Sequence, residues 1–351
     1  MNTTFIIGNG FDLCQNMATR YCQFYENHYI KLSTDGISPA IQTFRKEISD
    51  YVKEEHDLKS GKKQSSEDKI DWSDLESALG KYAIKLTNAQ DYIDIVLDVN
   101  RELQKYIEEQ ERTFAITEKI AGNIYMDFCR PDVPVYLNPE ESRSMRQFKN
   151  VPETEQIFII NFNYTTTIEK IIDNFEEKSR VTNIANHSTS VKNVLHIHGR
   201  LGEDPAILVG LNEPSQISNE EFRTNRDVLD VVIKPETNRM FGNGKERIAK
   251  NYINTSRLFV LYGVSLGETD KMWWEMIGKR LQVQDVRLIW FVYEEQGENN
   301  PLLIGQKKRN FINKFCEIAN IPNEKMEMVS PKIFIGYNTR IFKYKSETIS
   351  V

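Results

Sequence analysis

Two histidines separated by one residue, His196-Ile197-His198, run directly into Gly199. Alternation along a strand would set both imidazoles on one face and Ile197 on the other. Histidine titrates near neutral pH, so an imidazole beside a glycine turn suits proton transfer, and His198, which abuts the turn, is the candidate general base. The alternative is a pair of imidazoles hydrogen-bonded within a core. A zinc site would need further ligands at a recognisable spacing; His187 and the surrounding acids do not supply one, and no metal is expected.

Other polar residues sit where apolar runs end. Phe5-Ile6-Ile7 breaks into Gly8-Asn9-Gly10 and reaches Asp12 five residues after the run. A G-x-G turn lets backbone N–H groups approach a ligand, but the third glycine of the dinucleotide fingerprint is missing, and a plain strand-to-helix turn explains the pair as well. A carboxylate in that turn would repel pyrophosphate yet could accept hydrogen bonds from ribose hydroxyls; helix capping is its ordinary use. Asn161 and Asn163 follow Ile159-Ile160. Their neutral amides can bind hydroxyls or hold a water, or can satisfy the loop while Thr165 or Thr166 caps the next helix. Gly263 ends a further apolar run, with Ser265 and Asp270 beyond it. Ser265 lacks the G-x-S-x-G elbow of a serine hydrolase and suits a ribose or phosphate contact better. Trp273 and Trp274 read as core. Glu76, on a helix with Trp72, Leu75 and Leu79 at apolar spacing, is a solvated acid or, should its helix close over a sheet edge, a member of the site.

The elements that must position these residues alternate in kind. Strands are expected at 3–7, 157–161, 194–198, 206–210, 257–263, 286–293 and 325–330, with helices across 18–32, 165–178, 247–256, 270–281 and 305–320. Strands alternating with helices pair in parallel, which predicts an α/β fold with a doubly wound, mainly parallel, Rossmann-like sheet. Ligands of such sheets gather beyond the carboxyl ends of the strands, where the residues above lie. From 37 to 128 the spacing is helical, broken by a polar loop at 57–69. The expected division is therefore 1–34 with 156–351 as the nucleotide-binding domain and 35–155 as a large inserted helical subdomain. A closing hairpin is expected around Asn338.

At 351 residues the chain is long enough for one large α/β unit or two domains. A net charge of −6 argues against a protein that coats nucleic-acid phosphate, so nucleic acid is not an expected partner. The four cysteines are scattered without a C-x-x-C pair, as in a reducing compartment. No run approaches the roughly 18 apolar residues needed to span a bilayer, and no leader pattern is visible; a cytoplasmic protein without membrane contact is the expectation.

Taken in order, "IIGNGFDL", "WSDLE", "INFNYTTTIE", "HIHG" and "GVSLGETD" resemble the AbiH family of bacterial abortive-infection proteins, over nearly the whole chain. The order is also similar, more distantly, to the sirtuin-like NAD-binding enzymes. That second resemblance implies NAD as substrate or ligand, with Gly8 and Gly10 on the glycine turn, Asn163 on the family's asparagine, His198 on its catalytic histidine and Ser265 on its ribose-contacting serine. Thr165 stands where those enzymes carry an aspartate, Asp12 where they carry a small residue, and their structural zinc cysteines are absent. Together the resemblances imply an anti-phage effector that hydrolyses NAD to nicotinamide and ADP-ribose. Asp12, Asn163 and His198 would do the chemistry, while Gly8, Asn9, Gly10, Asn161, Gly263, Ser265 and Asp270 would bind the nucleotide. A non-catalytic nucleotide sensor and a metal-dependent nuclease or phosphoesterase are the alternatives. A phage-derived trigger or a neighbouring defence protein would be the partner, and a homo-oligomer is compatible.

Overall fold

The computed structural model describes residues 1–60, 70–149, 154–175, 182–184, 187–203, 207–240, 244–283, 285–295, 297 and 300–344. These divide into two compact units: Met1–Asn16 with Phe114–Ile197 and Arg247–Val351, and Met17–Thr113 with His198–Glu246. The sequence reading draws its boundary at 35 and 155 instead.

The first unit is built on a seven-stranded sheet: β1 (Asn2–Ile7), β2 (Glu155–Asn161), β3 (Thr182–Ile184), β4 (His187–His196), β5 (Leu258–Tyr262), β6 (Arg287–Val292) and β7 (Ile333–Tyr337), in the spatial order β3-β4-β2-β1-β5-β6-β7. Six strands run parallel and β3 pairs antiparallel with β4 at the edge. The parallel six have the doubly wound Rossmann order, which reverses between β1 and β5, the point at which sheets of this kind bind their ligands. Central parallel strands are covered on both faces and must be apolar on both. Accordingly Phe5 and Ile7 of β1 enter one core with Val260 and Ile289, while Ile6 enters the other with Leu261 and Trp290. Trp273 and Trp274 lie in the second of these cores.

Three expected elements differ. Residues 207–210 form no strand, because their backbone donors go elsewhere: Leu208 to the His198 carbonyl, Val209 to Asn100 Oδ1 and Gly210 to Glu76 Oε1. The segment read as a strand at 325–330 is a 3-10 turn followed by the short helix Met326–Val329; a brief apolar run preceded by Pro322 does not distinguish the two. No hairpin forms at Asn338, which takes the left-handed conformation and donates its N–H to Val292. A further helix, Pro139–Lys149, lies where only a connection was expected. Its start is a capping box, with Asn138 and Glu141 each accepting the other's backbone N–H, and Pro139 stands next to the cap. Of the polar loop at 57–69, residues 61–69 lie outside the described residues.

Beyond β7 the chain turns into the core. Ile341 and Phe342 are wholly buried, and the Phe342 ring packs against Phe11, Phe128 and Tyr262 at centroid distances of 5.4, 4.7 and 4.9 Å. Asp127 accepts hydrogen bonds from the Phe342 N–H, Tyr344 and Tyr136. Burial outweighs these donors and raises its carboxyl above the ordinary range. Phe342→Ala is expected to cost about 3–5 kcal/mol in chemical denaturation, the usual cost of emptying a phenylalanine site in a core, despite its place near the end of the sequence.

The second unit is helical, with Tyr21–Asn27, Pro39–Lys59, Leu75–Tyr82, Ala89–Thr113, Arg226–Val232 and Lys234–Met240 among its helices. Tyr92, Val96, Leu211, Ile217, Phe222 and Val228 form one of its cores. Buried Asp98 is held by the Arg45 guanidinium and by the Tyr29 hydroxyl at 2.8 Å, so this ion pair is hydrogen-bonded as burial requires.

Candidate functional site

In the sheet unit, the ends of β1 and β5 interlock at the point where strand order reverses. Gly8 N–H donates to the Tyr262 carbonyl at 2.9 Å and Gly10 N–H to the Gly263 carbonyl at 3.0 Å. Both donors are thus committed, and the turn is not a cradle of free phosphate donors. A Cβ on Gly8 would lie 2.6 Å from the Gly263 carbonyl oxygen, and one on Gly10 would lie 2.5 Å from the Gly263 Cα. Backbone packing accounts for this much of the G-x-G signal.

Asn9 stands at the N-cap of the five-residue helix Gly10–Cys14 without a side-chain capping bond, and that helix carries Asp12. The carboxylate is 2% exposed and its Oδ2 accepts a 2.8 Å hydrogen bond from Thr165 Oγ1. Asp12, in the turn after β1, is thus tied to Thr165, in the loop after β2. Two residues on, desolvation pushes the Cys14 thiol up to about 11, which removes it as a nucleophile near neutral pH.

β2 ends in Asn161, in register with Ile7 of β1 on one side and His196 of β4 on the other. Asn161 is fully buried and Asn163 is 5% exposed. The Asn161 side-chain oxygen accepts the Asn163 N–H at 3.0 Å. The side-chain NH2 groups of both asparagines are buried without a hydrogen-bond partner. A buried donor left unmade costs on the order of 1–3 kcal/mol, so each is a standing demand for an acceptor.

The two histidines part company. β4 ends at His196, so the alternation that would align the rings does not extend to His198. His196 Nδ1 lies 2.8 Å from the Asn163 carbonyl and its Nε2 lies 2.7 Å from Glu169 Oε1. With both nitrogens engaged, this ring fixes the asparagine loop. His198 falls in the second unit, 7% exposed, with Nε2 3.5 Å from Lys234 Nζ. Lys234 is itself 3% exposed and lies 2.9 and 3.1 Å from the two carboxylate oxygens of Glu76. Glu76 is consequently a buried ion-pair partner; Asp74 caps its helix by accepting the Ser77 N–H. Nothing in the sequence around Lys234 marks it, because its partners lie 36 and 158 residues away.

The remaining expected residues line the β5 exit. Gly263 has φ 68°, Ser265 is exposed, and Asp270 closes a 3-10 turn ahead of the helix Lys271–Val283. Gly8, Asn9, Gly10, Asp12, Asn161, Asn163, Gly263, Ser265 and Asp270 thus all belong to the sheet unit and end or follow β1, β2 or β5, while His198 does not. Among the described residues no three His, Cys, Asp or Glu side chains gather as a metal site, and no helix is long and apolar enough to cross a membrane.

No curated protein matches the chain. A family model described as "Bacteriophage abortive infection AbiH" matches residues 4–293, a span that contains every candidate residue above. The chain belongs to the AbiH family of bacteriophage abortive-infection proteins.

Proposed function

We propose that this abortive-infection protein acts by consuming NAD, hydrolysing it to nicotinamide and ADP-ribose at the exits of β1, β2 and β5. The observation that carries the reading is the buried Asp12 carboxylate, oriented by Thr165, at the carboxyl end of the sheet, where the side-chain NH2 groups of Asn161 and Asn163 are buried without a hydrogen-bond partner. Cleavage breaks the bond between ribose C1′ and the pyridinium nitrogen, and the electron pair leaves with nicotinamide. The ribose passes through an oxocarbenium-like state whose positive charge a desolvated carboxylate stabilises more strongly than water can. A water then attacks C1′ and loses its proton to Asp12. Asn161 and Asn163 would donate to hydroxyl or amide oxygens of the nucleotide, and Ser265 to the second ribose or a phosphate. With the N–H groups of Gly8 and Gly10 already bonded, pyrophosphate recognition would fall to other groups, which suits a site that places an acid near sugar.

The test pairs purified protein with infected cells. NAD loss with nicotinamide release in the tube, and NAD collapse in infected cells carrying wild type but not Asp12→Asn, is the expected result. Phage protection with steady NAD in both settings would overturn the reading. Tight NAD or ADP-ribose binding without product would point to a sensor, and chelator-sensitive cleavage of nucleic acid to a phosphoesterase.

A further inference from the structure

Within the sheet unit, the segment that leaves β7 holds a bulky residue in an unfavourable conformation. Phe342 has φ 61°, in the left-handed region that large side chains rarely adopt. Such a conformation persists only where surrounding contacts over-determine it. Here side chains take both polar groups of the Phe342 backbone. Its N–H donates to Asp127 Oδ2 at 2.7 Å, an oxygen that also accepts from the Tyr344 hydroxyl at 2.9 Å. Its carbonyl accepts from Gln15 Nε2 at 2.9 Å, and its ring lies 5.4 Å from that of Phe11. Phe342 is thus held by Asp127 on one side and by the Asp12 helix on the other.

That helix, Gly10–Cys14, is a single turn, and a single turn does not hold its shape without tertiary contacts. At its start it is fixed by the backbones of Gly10 and Gly263 pressed together. At its end the Gln15 N–H closes on the Phe11 and Asp12 carbonyls, while the Gln15 side chain reaches Phe342. Asp12 sits between these two holds. We propose that Gln15 and Phe342 are positioning residues for Asp12: residues 338–344 form a strap, anchored on Asp127, whose strained turn fixes the far end of the Asp12 helix, and undocking the strap releases the carboxylate. The catalytic consequence rests on the reading that Asp12 takes part in NAD cleavage; the coupling of strap to helix does not.

Amide hydrogen exchange of the full-length protein, resolved by peptide, reads that coupling. Asp127→Asn loosens the strap at its anchor, and Gln15→Met removes the donor from the helix side while keeping its volume. A coupling between two elements is reciprocal. Asp127→Asn is therefore expected to speed exchange about tenfold in residues 10–16 as well as in 338–344, and Gln15→Met to do the same in 338–344, the scale of one lost hydrogen bond. Amides of β2 and β6 should keep their protection. Tyr344→Phe, which takes one donor from Asp127 at a half-buried position, repeats the test should Asp127→Asn not fold. Faster exchange in 338–344 with wild-type protection of 10–16 overturns the proposal, as does a strap that keeps its protection in all three variants. Turnover separates the two layers: with Asp12 in the reaction, Gln15→Met should lose about tenfold in kcat with KM little changed. Coupled exchange with unchanged kcat in an active protein would uphold the strap and overturn the role of Asp12 in the chemistry.

Discussion

Asp12→Asn is expected to lower NAD cleavage by about 10²- to 10⁴-fold while leaving the fold intact, the scale of a lost acid–base or charge-stabilising group. The substitution keeps the shape of the side chain and an oxygen that can still accept from Thr165 Oγ1, now 2.8 Å from the carboxylate. What it removes is charge. Because the residue is 2% exposed, a neutral amide relieves desolvation, and thermal stability should hold or rise. Thr165→Val is the companion: it leaves the charge and removes one donor, so a smaller loss, about tenfold, is expected through disorder of the carboxylate. Unchanged NAD cleavage by a folded Asp12→Asn protein would take Asp12 out of the chemistry, and the proposed reaction with it.

Much of the sheet was legible because central parallel strands leave a strong trace. Phe5 to Ile7, Ile157 to Ile160 and Leu288 to Val292 are unbroken apolar runs, and nothing local competes with that reading. The failures occurred where long-range partners decide. Residues 207–210 look like a strand in composition, yet Asn100 and Glu76, both distant in sequence, and the His198 carbonyl take their N–H groups. Ile341 and Phe342 suggested the second arm of a hairpin, yet Asp127 and an aromatic cluster draw them inward. The site divides in the same way. Asp12, Asn161 and Asn163 were visible because a polar residue at the end of a buried strand is costly enough to be informative. Lys234 was invisible, since a lysine at the start of a polar helix is ordinary until Glu76 and His198 surround it. The glycines misled in part: the spacing that suggests a phosphate cradle also arises when two strand exits press their backbones together.

That contact gives the second large effect. Gly263→Ala is expected to destabilise the protein by about 2–5 kcal/mol, and with it to lose phage protection. Two costs combine. At φ 68° an alanine is forced into the left-handed conformation, at about 1–2 kcal/mol. Its Cβ would also lie 2.7 Å from the Gly10 Cα and 2.8 Å from the backbone nitrogens of Gly10 and Phe11, where rigid backbone and not a flexible side chain must yield, adding about 1–3 kcal/mol. Gly36→Ala isolates the first cost, because Gly36 has φ 73° and an added methyl group there would meet nothing within 4 Å. It should therefore lose only about 1–2 kcal/mol in the same denaturation series. Equal losses at the two positions would mean that dihedral strain alone governs the β5 exit, and that the interlock of Gly8, Gly10 and Gly263 is not what holds the Asp12 turn in place.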